Sequence, residues 1–187
     1  MSISTTDIFL LVMIVSTMVV GFFWGAARSV MFLAAWLIAF LAGAYLQLQL
    51  GSYLAKQWTN YLGSFSEMAA FGIIFVGLLL AAPFMIVAIS RGDQRVSRSQ
   101  TLDDLAGAAF AMAVAILGVA GVIIILSTFY GTDALVVDPA GGPEWTANLY
   151  ESLLNSAIGS SIARELVPIL GSVLGPILPP EVREVMA

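Results

Sequence analysis

The chain has 187 residues, 60% hydrophobic and only 10% charged, with a net charge of −5, whereas an ordinary soluble domain carries roughly 25% charged residues. Its seven basic residues form no stripe able to meet phosphates, which excludes nucleic acid as a partner. Cysteine and histidine are both absent, so disulfides, thiolate chemistry, cysteine metal sites and the usual imidazole base or metal ligand are excluded as well.

The spacing of the charges decides the class. Residues 29–55, 68–90 and 105–132 contain none, and each run exceeds the roughly 20 residues a helix needs to cross the hydrocarbon core. Residues 8–27 form another such run, and a mean hydropathy of +0.98 agrees. A soluble helical core would need polar outer faces, and these segments are apolar all round.

Thr5, Thr6 and Asp7 are N-cap residues ahead of the first apolar run. No basic n-region precedes that run, so it reads as a retained membrane helix and not as a cleaved leader. The stretch Gly21-Phe22-Phe23-Trp24-Gly25-Ala26-Ala27-Arg28 follows, ending on the only charge between Asp7 and Lys56. Glycine permits chain reversal and close helix approach, and an arginine beyond an apolar run marks the cytoplasmic side. These residues therefore predict a helical hairpin over residues 1–50. In its second arm Ala35, Ala39 and Gly43 share one face.

Residues 51–66 read as a loop or surface helix, with Trp58 and Tyr61 as interfacial anchors; Trp24 and Trp145 are further interfacial aromatics. Pro83 falls inside the third span and predicts a kink. The connector from Arg91 to Gln100 holds three of the seven basic residues, which places it in the cytoplasm with Arg28 and leaves the termini and Lys56 outside. Asp103 and Asp104 open the fourth span, where they complement the helix dipole. Gly107, Ala111, Ala115 and Gly118 then line one face.

Beyond Tyr130 the residues Asp133, Asp138, Pro139, Gly141, Gly142, Pro143 and Glu144 predict an exposed loop rich in turn residues. From Trp145 to Leu166 apolar residues recur at helical spacing among polar ones, an amphipathic helix with an interruption at Gly159. Pro168, Gly171, Gly175, Pro176, Pro179 and Pro180 break up the remainder, and residues 167–178 are uncharged but too short to cross as a helix. The expectation is an all-α integral membrane protein with four transmembrane helices and a C-terminal amphipathic helical tail. Its membrane domain occupies 1–128, with spans near 7–26, 28–48, 67–90 and 102–127, and 129–187 form an extracytoplasmic loop and tail.

Asp7, Gly21, Gly25 and Arg28 resemble the start of the CvpA family, the colicin V production proteins, small bacterial inner-membrane proteins with a Gly-x-x-x-Gly-x-x-Arg turn after an early aspartate. A second family feature, Leu-Asp-Arg-x-x-Gly-Ala, is similar to residues Leu102 to Ala108, with Asp104 in place of its arginine. Trp24 stands where the family often has arginine. Glu144, Trp145 and Ser152 are similar to its C-terminal segment. The resemblance implies a multi-pass protein of the bacterial cytoplasmic membrane involved in toxin production or export and in envelope homeostasis.

The family supplies no catalytic residues, and the sequence contains no nucleotide-binding loop or metal-ligand cluster. Asp103 and Asp104 are adjacent, so their side chains diverge around the helix and cannot form a proteolytic pair. The expectation is a non-enzymatic protein without catalytic, cofactor or metal residues. Its packing motif is Gly21, Gly25, Arg28, Asp103 and Gly107, and Arg28 is a candidate ion-pair partner of Asp103 or Asp104. The expected partners are the lipid bilayer and either further copies of the chain or other membrane proteins. The alternative is a small oligomeric transporter or channel subunit, which would use Ser16 and Thr17, polar residues within the first span.

Overall fold

A computed structural model describes residues 4–89, 100–130 and 143–186. The basic connector and the turn-rich loop before Pro143 lie outside the described residues. All regular structure among those described is helical: α1 (Thr5–Gln57), α2 (Gly63–Ile89), α3 (Gln100–Tyr130), α4 (Glu144–Asn155), α5 (Ala157–Ser161), a π-helical turn (Ile162–Leu166), α6 (Val167–Leu174) and α7 (Pro180–Met186). The chain is an all-α protein. Its α1, α2, α3 and the continuous helix Ala157–Leu174 are each long and apolar enough to cross a membrane.

At 53 residues, α1 would be about 80 Å long if straight, far more than the roughly 30 Å hydrocarbon core. It is not straight, because Gly25 has φ +77° and ψ 172°. This left-handed conformation is one that glycine adopts without the Cβ penalty of other residues. The neighbours on either side of Gly25 show the result. In the first limb Gly25 meets Asp103 and Gly21 meets Gly107 and Ala111, so that limb runs antiparallel to α3.

In the second limb Trp36 packs on Phe75, Phe40 on Phe71 and Gly51 against Glu67, antiparallel to α2. Helix α2 is in turn antiparallel to α3, through Phe65 on Phe129 and Phe75 against Gly121. The two limbs of α1 must therefore run in opposite directions. Gly25, the C-terminus of α2 and the N-terminus of α3 share one end of the bundle. Asp7, the α1–α2 turn and the C-terminus of α3 point toward the other.

An aromatic centre holds the second limb and α2 together. Trp36 stacks on Phe40 with centroids 5.3 Å apart and meets Phe75 edge-on at 6.2 Å, geometries that add to simple area burial. Trp36, Phe40 and Phe71 are fully buried. Outward faces are apolar too, with Phe23 and Phe84 78% and 79% exposed, the pattern of helices solvated by lipid. Helix α2 continues through Pro83 to Ile89.

The tail differs from the sequence reading in where it breaks. Gly159 lies inside α5, and the interruption is at Ser156, whose backbone is extended at φ −78° and ψ 147°. Pro168 does not end the helix either. It has no N–H to give the Arg164 carbonyl, and the preceding backbone widens into a π turn in which Val167 N–H bonds Ile162 O. Residues 157–174 thereby form one helix of 18 residues. Leu153, Leu178, Val182 and Met186 complete the same apolar core as Leu10 and Ile124.

The closest seam yields a prediction. A Cβ at Gly107 would come within 2.6 Å of the Gly25 carbonyl carbon and 2.9 Å of its Cα, whereas one at Gly118 meets nothing within 4 Å. Gly107→Ala should cost about 1–3 kcal/mol through overpacking, while Gly118→Ala should be neutral or raise stability by up to about 1 kcal/mol through helix propensity. Thermal unfolding of both variants in mild detergent measures the contrast; equal effects would contradict the seam.

Candidate functional site

Two clusters of polar and small residues sit at opposite ends of the first limb. The first surrounds the reversal. Gly21 and Gly25 face Gly107 of α3, so that a Cβ on Gly21 would lie 2.6 Å from the Gly107 carbonyl oxygen. Asp103 is 5% exposed, and its carboxylate Oδ2 lies against Gly25, in space that a Cβ there would need. The positive φ and the carboxylate in the Cβ position thus both demand glycine. Arg28 is half-buried, as is Asp104. Among the described residues no ion pair joins Arg28 to either carboxylate.

The structure therefore brings together Gly21, Gly25, Asp103 and Gly107 and leaves Arg28 beside them. The predicted interfacial aromatics lie elsewhere. Trp24 is half-buried and meets Phe32 edge-on at 6.4 Å. Trp58 caps α1 by donating its N–H to Leu54 O at 2.8 Å, and its ring approaches Tyr61 and Phe65. Trp145 is 66% exposed in the first turn of α4.

The second cluster was not apparent from the sequence. Asp7, 6% exposed, occupies the N3 position of α1 and accepts from Ser4 N–H at 3.0 Å, while Ser4 Oγ accepts from Thr6 N–H at 3.3 Å. The pair forms a capping box with aspartate in the usual place of glutamate. The other carboxylate oxygen, Oδ1, accepts from Ile158 N–H at 3.0 Å, across 151 residues of chain. Ser156 Oγ accepts from Gly159 N–H at 2.9 Å. One carboxylate thereby serves the positive ends of two helices, the first limb of α1 and the tail helix.

Gly159 is required by this junction, because a Cβ there would lie 2.7 Å from Ser156 Oγ and still nearer the Leu153 carbonyl. A signal existed in the sequence: Asp7 reads as a cap, and Ser156 stands three residues before Gly159. Nothing local could say that the two belong together.

Helix α4 is fastened separately. Tyr130 and Thr146 share a hydroxyl hydrogen bond at 2.6 Å, Thr146 Oγ1 donates to Pro143 O at 2.7 Å, and Tyr130 stacks on Tyr150 with centroids 5.5 Å apart. Burial pushes the Tyr150 phenol above its ordinary value, so the ring remains neutral at physiological pH. Tyr45 OH donates to Ile177 O, a further tie between the tail and the second limb. No group of three or more metal-binding side chains occurs among the described residues.

The Asp7 junction is testable. Asp7→Ala removes the acceptor for Ile158 N–H, and Ser156→Ala removes the acceptor for Gly159 N–H. Hydrogen exchange at these two amides should accelerate by about tenfold or more, while exchange within α2 stays unchanged. Unaltered exchange in the Asp7→Ala protein would show that the carboxylate does not hold the tail.

Neither a curated protein nor a solved structure matches the chain. The family model for the colicin V production protein matches residues 6–153, from the residue before Asp7 to the last turn of α4. The matched segment contains both limbs of α1, α2, α3 and the whole glycine seam. The chain belongs to the colicin V production protein family.

Proposed function

We propose that this protein is a non-enzymatic scaffold of the bacterial inner membrane that supports colicin V production or export and envelope homeostasis by assembling with itself or with other membrane proteins. Family membership carries the reading, and the colicin V production family is not a known enzyme family. Support also comes from where the polar groups lie. Asp7 and Asp103, the buried carboxylates among the described residues, are engaged with helix starts and with a glycine seam, positions suited to architecture and not to proton transfer.

A channel would need a polar lining. Thr17 spends its hydroxyl on Met13 O at 2.8 Å, and Ser16 is exposed on the outer face of the first limb. A pore could only be formed between copies, with Ser16 lining it.

The proposed orientation puts Arg28 and the Gly25 end in the cytoplasm, with the tail outside. It rests on the positive-inside rule and on the placement of the Gly25 turn, Ile89 and Gln100 at one end of the bundle. The chain has no cysteine, so Asn155→Cys creates a single reactive site. A membrane-impermeant maleimide should label it in intact spheroplasts, and labelling only after inner-membrane lysis would reverse the topology. For the role itself, deletion in a colicin V-producing host should lower secreted toxin at least severalfold, with recovery on re-expression. Purification in mild detergent should give a particle larger than one protomer. A strictly monomeric particle with no copurifying protein and undiminished toxin secretion would defeat the proposal.

A further inference from the structure

Between the first limb of α1, α3 and the tail helix lies an open groove of about 490 Å³. Its lining is mostly apolar, from Ile14, Ile116, Ala157, Ile158 and Ile162, and is completed by Ser160, Ser161 and the exposed Arg164. Ile14 and Ile116 belong to segments apolar enough to cross the membrane, and the nearby Leu11, Val15 and Met112 are exposed. The groove therefore opens where lipid chains run. Ile14 is seven residues beyond Asp7, about 10 Å along the limb from the tail junction, within reach of the headgroup layer for an arginine that extends toward it.

The polar part of the lining has one unspent donor group. Ser160 Oγ and Ser161 Oγ donate to Ala157 O at 3.2 Å and 2.8 Å, which leaves their lone pairs as acceptors. Arg164 is exposed, and among the described residues it has no ion pair. A guanidinium in a mostly apolar groove in a bilayer matches a phosphodiester by charge and by its forked donors. The Ser oxygens beside it can accept from hydroxyls of a polyol headgroup.

The geometry points to a binding site for an anionic glycerophospholipid, with an acyl chain along the apolar lining of Ile14, Ile116 and Ile162 and the headgroup phosphate on Arg164. Phosphatidylglycerol has the required charge and hydroxyls. A soluble phosphate ester lacks the chain that the apolar lining accommodates, and a zwitterionic phosphatidylcholine lacks both net charge and headgroup hydroxyls. This assignment does not depend on the proposed role in toxin production.

The test uses the full chain in mild detergent, titrated with phosphatidylglycerol or phosphatidylcholine and read by native mass spectrometry. Wild type should retain phosphatidylglycerol about tenfold or more over phosphatidylcholine. Arg164→Gln should abolish that preference, Arg164→Lys should keep part of it, and Ile116→Phe should reduce retention of both lipids by filling the groove. Glycerol 3-phosphate at millimolar concentration should not compete. Thermal unfolding of each variant checks that the fold is intact; Arg164 is exposed, so its substitutions leave the packed core untouched. Equal retention of both lipids by wild type, or a preference unchanged in Arg164→Gln, would overturn the assignment, as would displacement of the lipid by an apolar peptide but not by phosphatidylglycerol.

Discussion

Backbone contact between Gly25 and Gly107 is the constraint on which the membrane bundle depends. Lipid tails solvate leucine as well as a protein core does, so the hydrophobic effect gives transmembrane helices little reason to associate. What remains is van der Waals contact, and it grows where side chains are absent. Gly21, Gly25 and Gly107 provide such a place, with the Asp103 carboxylate filling the last gap. The left-handed turn at Gly25 brings the second limb back alongside the first, and the seam with α3 then fixes the position of the first.

The far end of the first limb is held by different physics. Backbone N–H groups at helix starts need acceptors, and in an apolar setting an unsatisfied one is expensive. Asp7 meets this need for two helices with one carboxylate. The limb consequently has glycine packing at one end and charge-assisted hydrogen bonds at the other. The tail is tied into the bundle by this junction, by Tyr45 and by the buried Val182 and Met186.

For a protein of the colicin V production family, this arrangement directs attention to surfaces. The buried carboxylates Asp7 and Asp103 engage helix starts and the glycine seam, and α1 and α2 expose many large apolar side chains, the pattern of helices solvated by lipid. The tail helix, which starts after the break at Ser156 and is continuous past Pro168, adds a mixed surface, a groove lined by isoleucines, serine hydroxyls and an arginine.

Much of this was legible in the sequence because membrane solvation writes itself into composition. Barrel strands cross in about 10 residues that alternate apolar with polar, so uncharged runs of roughly 20 or more residues that are apolar all round satisfy their backbone in lipid as helices, and the all-α class follows from that pattern. Gly21, Gly25 and Arg28 marked the reversal, since a glycine pair beside the only nearby charge is a local signal. Trp145 likewise marked the start of a helix, which begins one residue earlier, at Glu144, a residue read as loop. The tail was less legible: Gly159 and Pro168 are helix breakers by propensity, yet tertiary packing kept both inside a helix, and the break fell at Ser156 because its side chain could cap what followed. The partnership of Asp7 with Ile158, the fit of Asp103 against Gly25 and the groove at Arg164 were decided only in three dimensions. Each joins residues distant along the chain, and no local pattern encodes which helix start a carboxylate will meet or which glycine a second helix will touch.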